Sequence, residues 1–155
     1  MPYLEINGQE YEGKVSFKFG FVADEKHSQK NKDGVEIQSG VQYLYQKLMN
    51  EDPNYLAYFW ECALAHHKQK PTLSDIQDAL ADRAGEDEDY DSLFSEAYQM
   101  MDNSGFLKGQ IRKFWKEQEM SKDFIEDEKE KKAFTTYLKD LKESRQRLNP
   151  SITNK

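Results

Sequence analysis

One cysteine, Cys62, is all the thiol chemistry in these 155 residues, so no internal disulfide can form. It sits inside an apolar helical pattern, which predicts a buried, inert thiol and is compatible with a reducing compartment. Long hydrophobic runs are missing as well. No stretch approaches the roughly 18 apolar residues of a membrane span. The opening Met1-Pro2-Tyr3-Leu4-Glu5 has no basic stretch followed by an apolar run, so we expect no signal peptide and a soluble, intracellular protein. There is no glycine-rich phosphate loop and no Gly-x-Ser-x-Gly elbow. Positive charge is in the minority: 22 Lys and Arg stand against 29 Asp and Glu, a net charge of −7. An acidic chain is repelled by phosphate backbones, which argues against general nucleic-acid binding.

Aromatic residues are plentiful, with nine Phe, nine Tyr and two Trp, and they supply core material to a chain in which 33% of residues are charged. That combination describes a folded domain with strongly charged surfaces rather than a disordered chain. The length fits one domain, which buries roughly 70% of the surface its unfolded chain exposes.

The first 22 residues read as β structure. Val15, Phe17, Phe19 and Phe21 alternate with Ser16, Lys18 and Gly20, a period of two that predicts a strand with one apolar face. Leu4 and Ile6 form a shorter alternating run before Asn7-Gly8, which suits a tight type I′ turn. Such a hairpin is not stable alone, so its apolar face must cover something else. Ala23 to Gly34 is polar and closes on the turn signal Asn31-Lys32-Asp33-Gly34.

After Gly34 the period becomes helical. Val41, Leu44, Tyr45, Leu48 and Met49 mark the first helix. Asp52-Pro53 opens a second, with Asp as cap and Pro at the first helical position. It carries Leu56, Phe59, Trp60, Ala63, Leu64 and His67 on one side and runs to Pro71. Thr72-Leu73-Ser74-Asp75 resembles a capping box for a third helix with Ile76, Ala79 and Leu80, ending near Gly85. Leu93, Phe94, Ala97, Tyr98 and Met101 define a fourth, closed by Asn103-Ser104-Gly105. Phe106, Leu107, Ile111, Phe114 and Trp115 define a fifth.

From Glu126 to Lys132 seven consecutive residues are charged. Beyond them Phe134, Leu138, Leu141 and Leu148 recur at helical spacing, an amphipathic helix lying outside the main core. The fold expected is mainly α: a compact domain of about five helices with a small N-terminal β-hairpin and an amphipathic C-terminal helix. The divisions expected are a core over residues 1–120 (hairpin 1–22, helical part 36–120), a charged helix over 121–148 and a flexible tail over 149–155.

No constellation supplies catalysis. Adjacent helical residues such as His66 and His67 point about 100° apart and share a metal poorly. Asp87, Asp89 and Asp91 match the first ligands of a calcium loop, but its glycine and glutamate positions hold Ser92 and Tyr98, which leaves a solvated acidic linker. Cys62 has no evident activating partner. The residues therefore point to no enzyme, no metal and no cofactor. Phe59 and Trp60 read as core, whereas Tyr55 and Tyr58 are available to an interface.

The charge layout is more informative. Asp75 to Asp91 contains Asp75, Asp78, Asp82, Glu86, Asp87, Glu88, Asp89 and Asp91 against Arg83 alone, while Gly105 to Lys116 contains Lys108, Arg112, Lys113 and Lys116 and no acid. These are either solvated helix faces or the two halves of a head-to-tail contact between subunits, a geometry that generates rings or open spirals. Lys108, Arg112, Lys113 and Lys116 are the candidates for that contact or for partner docking. Phe134, Leu138 and Leu141 are the candidates for apolar docking, either of the C-terminal helix on its own domain or of a partner held beyond the charged hinge.

The order of motifs resembles a known family. Phe17-Lys18-Phe19-Gly20-Phe21, then Ala23-Asp24-Glu25-Lys26 and Lys32-Asp33-Gly34, is similar to the start of the tail assembly chaperones of long-tailed, siphovirus-type phages and prophages of Gram-positive bacteria. The resemblance continues through Leu44-Tyr45-Gln46-Lys47-Leu48, Asp52-Pro53, Ala63-Leu64-Ala65-His66, Lys70-Pro71-Thr72, Asn103-Ser104-Gly105-Phe106-Leu107 and Lys113-Phe114-Trp115, over residues 15 to 118. It implies a protein of the host bacterial cytoplasm that binds the tape measure protein, helps deliver tail tube protein around it, self-associates into oligomers or spirals, and is absent from the mature virion. It also implies a programmed ribosomal frameshift near the end of the gene, this chain being the shorter product. A different reading of the same acidic surface is a phage-encoded regulatory or inhibitory module that occupies a basic host surface one to one.

Overall fold

Backbone chemistry sets the first element as expected. In the computed structural model, which describes residues 2–152, β1 (Tyr3–Ile6) and β2 (Gln9–Glu12) pair antiparallel with Leu4 opposite Tyr11. Asn7 and Gly8 both take positive φ, 53° and 79°, the type I′ geometry that matches strand twist. Leu4 and Ile6 are buried, and β1 packs on α4 (Leu73–Ala84), so the apolar face of the hairpin is covered as it must be.

The strand expected over Val15 to Phe21 is a helix. α1 spans Phe17–His27, and its buried residues Phe19, Ala23 and His27 recur every four positions. Phe17 and Phe21 face solvent. Over seven residues an alternating pattern also satisfies part of a helical one, and the helix-forming Ala23-Asp24-Glu25-Lys26 that follows extends the turn begun at Ser16. The polar segment after it holds a second small hairpin, β3 (Gln29–Lys30) with β4 (Glu36–Gln38). Asn31 organises its loop by accepting hydrogen bonds from the Asp33 and Val35 N–H groups at 3.0 Å each.

The helices then follow the sequence signals closely. α2 (Gly40–Met49) begins after Ser39, whose hydroxyl accepts from the Gln42 N–H at 3.2 Å. α3 (Pro53–Ala63) is capped by Asp52 with Pro at its first position, and it stops well before Pro71 because residues 64–69 turn. α4 is capped by Thr72, which accepts from the Asp75 N–H at 3.1 Å, and ends on Gly85 at φ +75°. α5 (Tyr90–Asp102) starts on Asp89, and α6 (Lys108–Ser121) follows the Asn103-Ser104-Gly105 turn. A single 3₁₀ turn, Lys122–Phe124, leads to α7 (Glu128–Leu148).

Phe19, Tyr45, Phe59, Trp60, Tyr98 and Phe114 are the largest fully buried side chains of one continuous core. α7 joins that core: it packs on α2 and α5, and Leu141 and Leu148 belong to the buried cluster. A helix lying outside the core is therefore not what forms. Asn149, expected to begin a frayed tail, is buried, and its amide donates to Asp102 at 2.9 Å and to Asn103 at 2.8 Å. Of the expected tail, residues 153–155 lie outside the described residues.

Candidate protein-binding surfaces

Three surfaces stand out. The first is aromatic. Phe17 is 83% exposed and Phe21 68% exposed on the outer face of α1. Phe106, in the turn before α6, packs edge-on against Phe17 with ring centroids 4.8 Å apart. Beside this ridge runs an open groove of about 590 Å³ whose apolar lining includes Val22, Leu64, Pro71 and Ile76. Lys18, Lys26 and Lys70 line it together with Glu25 and Glu61, and Lys26 is paired to Glu61 at 3.3 Å. Large apolar groups clustered in solvent beside a groove mark a place where another surface fits. Alternation alone predicts a buried strand face for the α1 aromatics, and the helix turns two of them outward. The signal that separates them is the four-residue spacing of Phe17 and Phe21, out of phase with Phe19 and Ala23.

The second surface is electrostatic. Lys108, Arg112 and Lys116 are exposed at four-residue intervals along α6 and form no ion pair among the described residues. Lys113, also exposed, pairs only with Glu117 one turn on, at 3.9 Å. On the acidic side, Asp78 and Asp82 of α4, Glu86, Asp87 and Glu88 after it and Asp91 at the start of α5 are exposed. Asp89 is used locally. Its carboxylate accepts from the Ser92 N–H at 3.2 Å and from the Ser92 hydroxyl at 2.7 Å, and those hydrogen bonds hold its pKa below the usual value.

The third surface is the seat of α7, and it is polar at its centre. Asp102, with a side chain 0% exposed, accepts from the Tyr45 hydroxyl at 2.7 Å and from Arg145 through Nε at 3.2 Å and Nη2 at 3.0 Å. The Tyr98 hydroxyl and the Trp115 indole N–H donate to the Tyr45 oxygen at 2.7 and 2.9 Å. Burial and the neighbouring Asp102 charge push the Tyr45 phenol well above its ordinary pKa. For Arg145, burial is the largest single influence and opposes the charge, but the Asp102 hydrogen bonds together with the charge of Asp102 and the Tyr45 and Tyr98 oxygens outweigh it, so the guanidinium is held charged. Of the apolar docking candidates, Leu138 and Leu141 are buried by their own chain and Phe134 is half-buried. They are not a free surface.

Groups that could suggest chemistry have structural partners instead. His67 Nε2 lies 2.9 Å from the Glu12 carbonyl, and its ring meets Tyr11 edge-on. Burial pushes the Cys62 thiol up to about 12, so it carries essentially no thiolate at neutral pH. No cluster of metal-binding side chains occurs among the described residues, and no helix there is long and apolar enough to cross a membrane.

A family model for the phage tail assembly chaperone protein, TAC, matches residues 3–116. The chain belongs to that family. No curated protein and no solved structure matches it. The match takes in the aromatic ridge of this chaperone, its acidic segment and its basic helix, and it ends before α7 begins. The basic row lies on the single helix α6. The Asp102 network has no signature in the sequence, because its members are 43 and 57 residues apart.

Proposed function

We propose that this chaperone binds the phage tape measure protein and assists tail tube assembly in the host bacterial cytoplasm, working by contact alone and leaving before the virion matures. The supporting observation is the aromatic ridge of Phe17, Phe21 and Phe106 beside its groove, on a member of a tail assembly chaperone family. A long helix with an apolar stripe aggregates unless that stripe is covered, and a ridge of rings beside a groove is a surface that covers one. Copies joined head to tail, the exposed acids from α4 to the start of α5 against Lys108, Arg112 and Lys116 of the next copy, would multiply weak contacts along such a helix.

The test is co-expression with the tape measure protein encoded by the same phage, followed by affinity capture of the tagged chaperone. The wild-type chain should recover the tape measure protein, and Phe17→Asp with Phe21→Asp should abolish recovery without unfolding, since both rings lie outside the core. No recovery by the wild-type chain ends this reading.

A further inference from the structure

α7 meets the core along one narrow stripe. Of its 21 residues, three are buried: Leu138, Leu141 and Leu148. With Arg145 they fall at i, i+3, i+7 and i+10, a single stripe. The half from Glu128 to Tyr137 buries none. Neutral hydrogen bonds add to this: Gln46 donates to the Tyr137 hydroxyl at 2.9 Å, and Ser95 and Gln99 donate to the Leu148 carbonyl at 2.8 and 2.9 Å. The charged ties are complementary. Arg145 meets Asp102, Arg147 meets Glu51 at 2.8 Å, and Lys142 pairs with Glu119. Arg145 also lies over the Trp115 ring, 5.0 Å from its centroid.

The seat itself is built from α2, α5 and α6. Tyr45, Glu51, Tyr98, Asp102 and Trp115 all lie within the family match, whereas α7 lies beyond it. The connection between them is loosely packed: Phe124 is 77% exposed, and Glu126 and Asp127 are exposed.

We infer that this face is a receptor for an amphipathic helix bearing Leu, Leu, Arg and Leu at the α7 spacing, and that α7 fills it in cis until a partner helix with the same stripe takes its place. The inference rests on the reading of the protein as a chaperone of a helical client. Charge complementarity selects the partner, because Glu51, Asp102 and Glu119 repel an acidic helix and accept a basic one. A buried carboxylate left without its guanidinium is strongly destabilising. The face therefore exchanges one arginine-bearing helix for another more readily than it stands empty. The cis helix lowers the apparent affinity for any competitor by the fraction of time the seat is free.

The test uses a fluorescent peptide of residues 127–152 and the full-length chain, wild type and Leu141→Asp/Arg145→Glu. Both substitutions sit on α7 and leave the receptor face unchanged. The peptide should bind the variant roughly tenfold or more tightly than the wild type, and an Arg145→Glu peptide should not. Equal affinity for the two chains, or no binding to a variant whose circular dichroism and melting show an intact core, overturns the inference. Should that variant fail to fold, hydrogen exchange on the wild type decides. Amides of residues 138–148 exchanging roughly tenfold or more faster than those of α5 support exchange, and equal protection overturns it. A dimer formed by the wild type alone and dissolved by the peptide assigns the seat to a second copy's α7 and overturns the partner reading. Because the peptide assay contains no tape measure protein, failed capture of that protein with successful peptide binding removes the client and keeps the receptor.

Discussion

His27 is the buried base of the α1–α3 contact. Its ring packs against Tyr58 at 4.8 Å and edge-on to Tyr55 at 6.0 Å, and its Nε2 has no hydrogen-bond partner among the described residues. Desolvation lowers its pKa below the ordinary 6.5, against an upward pull from Glu61. His66 is lowered too, chiefly by burial and then by the neighbouring His67. A histidine held neutral by the fold binds a proton more readily in the unfolded chain. Its stabilisation is therefore complete above pH 6.5 and declines as pH falls through the window between that value and the lower folded one. We expect the melting temperature to fall between about pH 7.5 and 5.5, and His27→Phe, which keeps the ring contacts, to flatten that fall. Thermal melts of both chains across that range check it; an unchanged slope in the variant clears His27 of any part.

Gly40 is fixed by a different constraint at the same scale. A Cβ there would lie 1.7 Å from the Ala23 carbonyl oxygen and 2.3 Å from its carbon, so the backbones of α1 and α2 meet where α2 begins. Asp24 of α1 reinforces the junction by accepting from the Val41 N–H at 3.1 Å. Elsewhere in a helix, Gly→Ala gains up to about 1 kcal/mol from propensity. Here the contact is with backbone, which cannot rotate away, so Gly40→Ala should lose stability at or above the upper end of the usual overpacking range of about 1–3 kcal/mol. A denaturant midpoint equal to or above that of the wild type would show that the helices separate freely.

Elements announced themselves where a local rule decides them. Asp52-Pro53, Thr72 with Asp75, and Gly85 each satisfy a helix-end requirement using neighbouring residues, so α3 and α4 were legible, as was the Asn7-Gly8 turn. Thr72→Ala should accordingly cost about 1 kcal/mol by freeing the Asp75 N–H, and Thr72→Ser should restore most of it; chemical denaturation of the three chains measures both. α1 was not legible because its outward aromatics reproduce the alternation of a strand, and what exposes them is tertiary: the face that turns inward is that of Phe19, Ala23 and His27. The docking of α7 is hidden from the sequence for a related reason. Its leucine stripe showed that it must bury a face, but its partner Asp102 belongs to α5 and is recruited only once the chain is folded.

The whole molecule separates its charge. A chain of net charge −7 should repel its own copies, yet the exposed acids from α4 to the start of α5 and Lys108, Arg112 and Lys116 of α6, unpaired among the described residues, are two patches of opposite sign. Such patches steer encounter and set register more than they add affinity, and their reach shrinks with salt. Reversing two basic residues, Arg112→Glu and Lys113→Glu, changes the local charge by four while touching no core contact and only the long 3.9 Å pair to Glu117. The fold should stay within about 0.5 kcal/mol of wild type, as expected for exposed positions. Light scattering should show the wild-type mass rising with protein concentration in dilute salt. That rise should disappear in the variant, and in the wild type near about 0.5 M salt, where the screening length drops to a few ångströms. A variant that assembles to the same mass as wild type would eliminate the head-to-tail contact and leave the aromatic ridge to carry any association between copies.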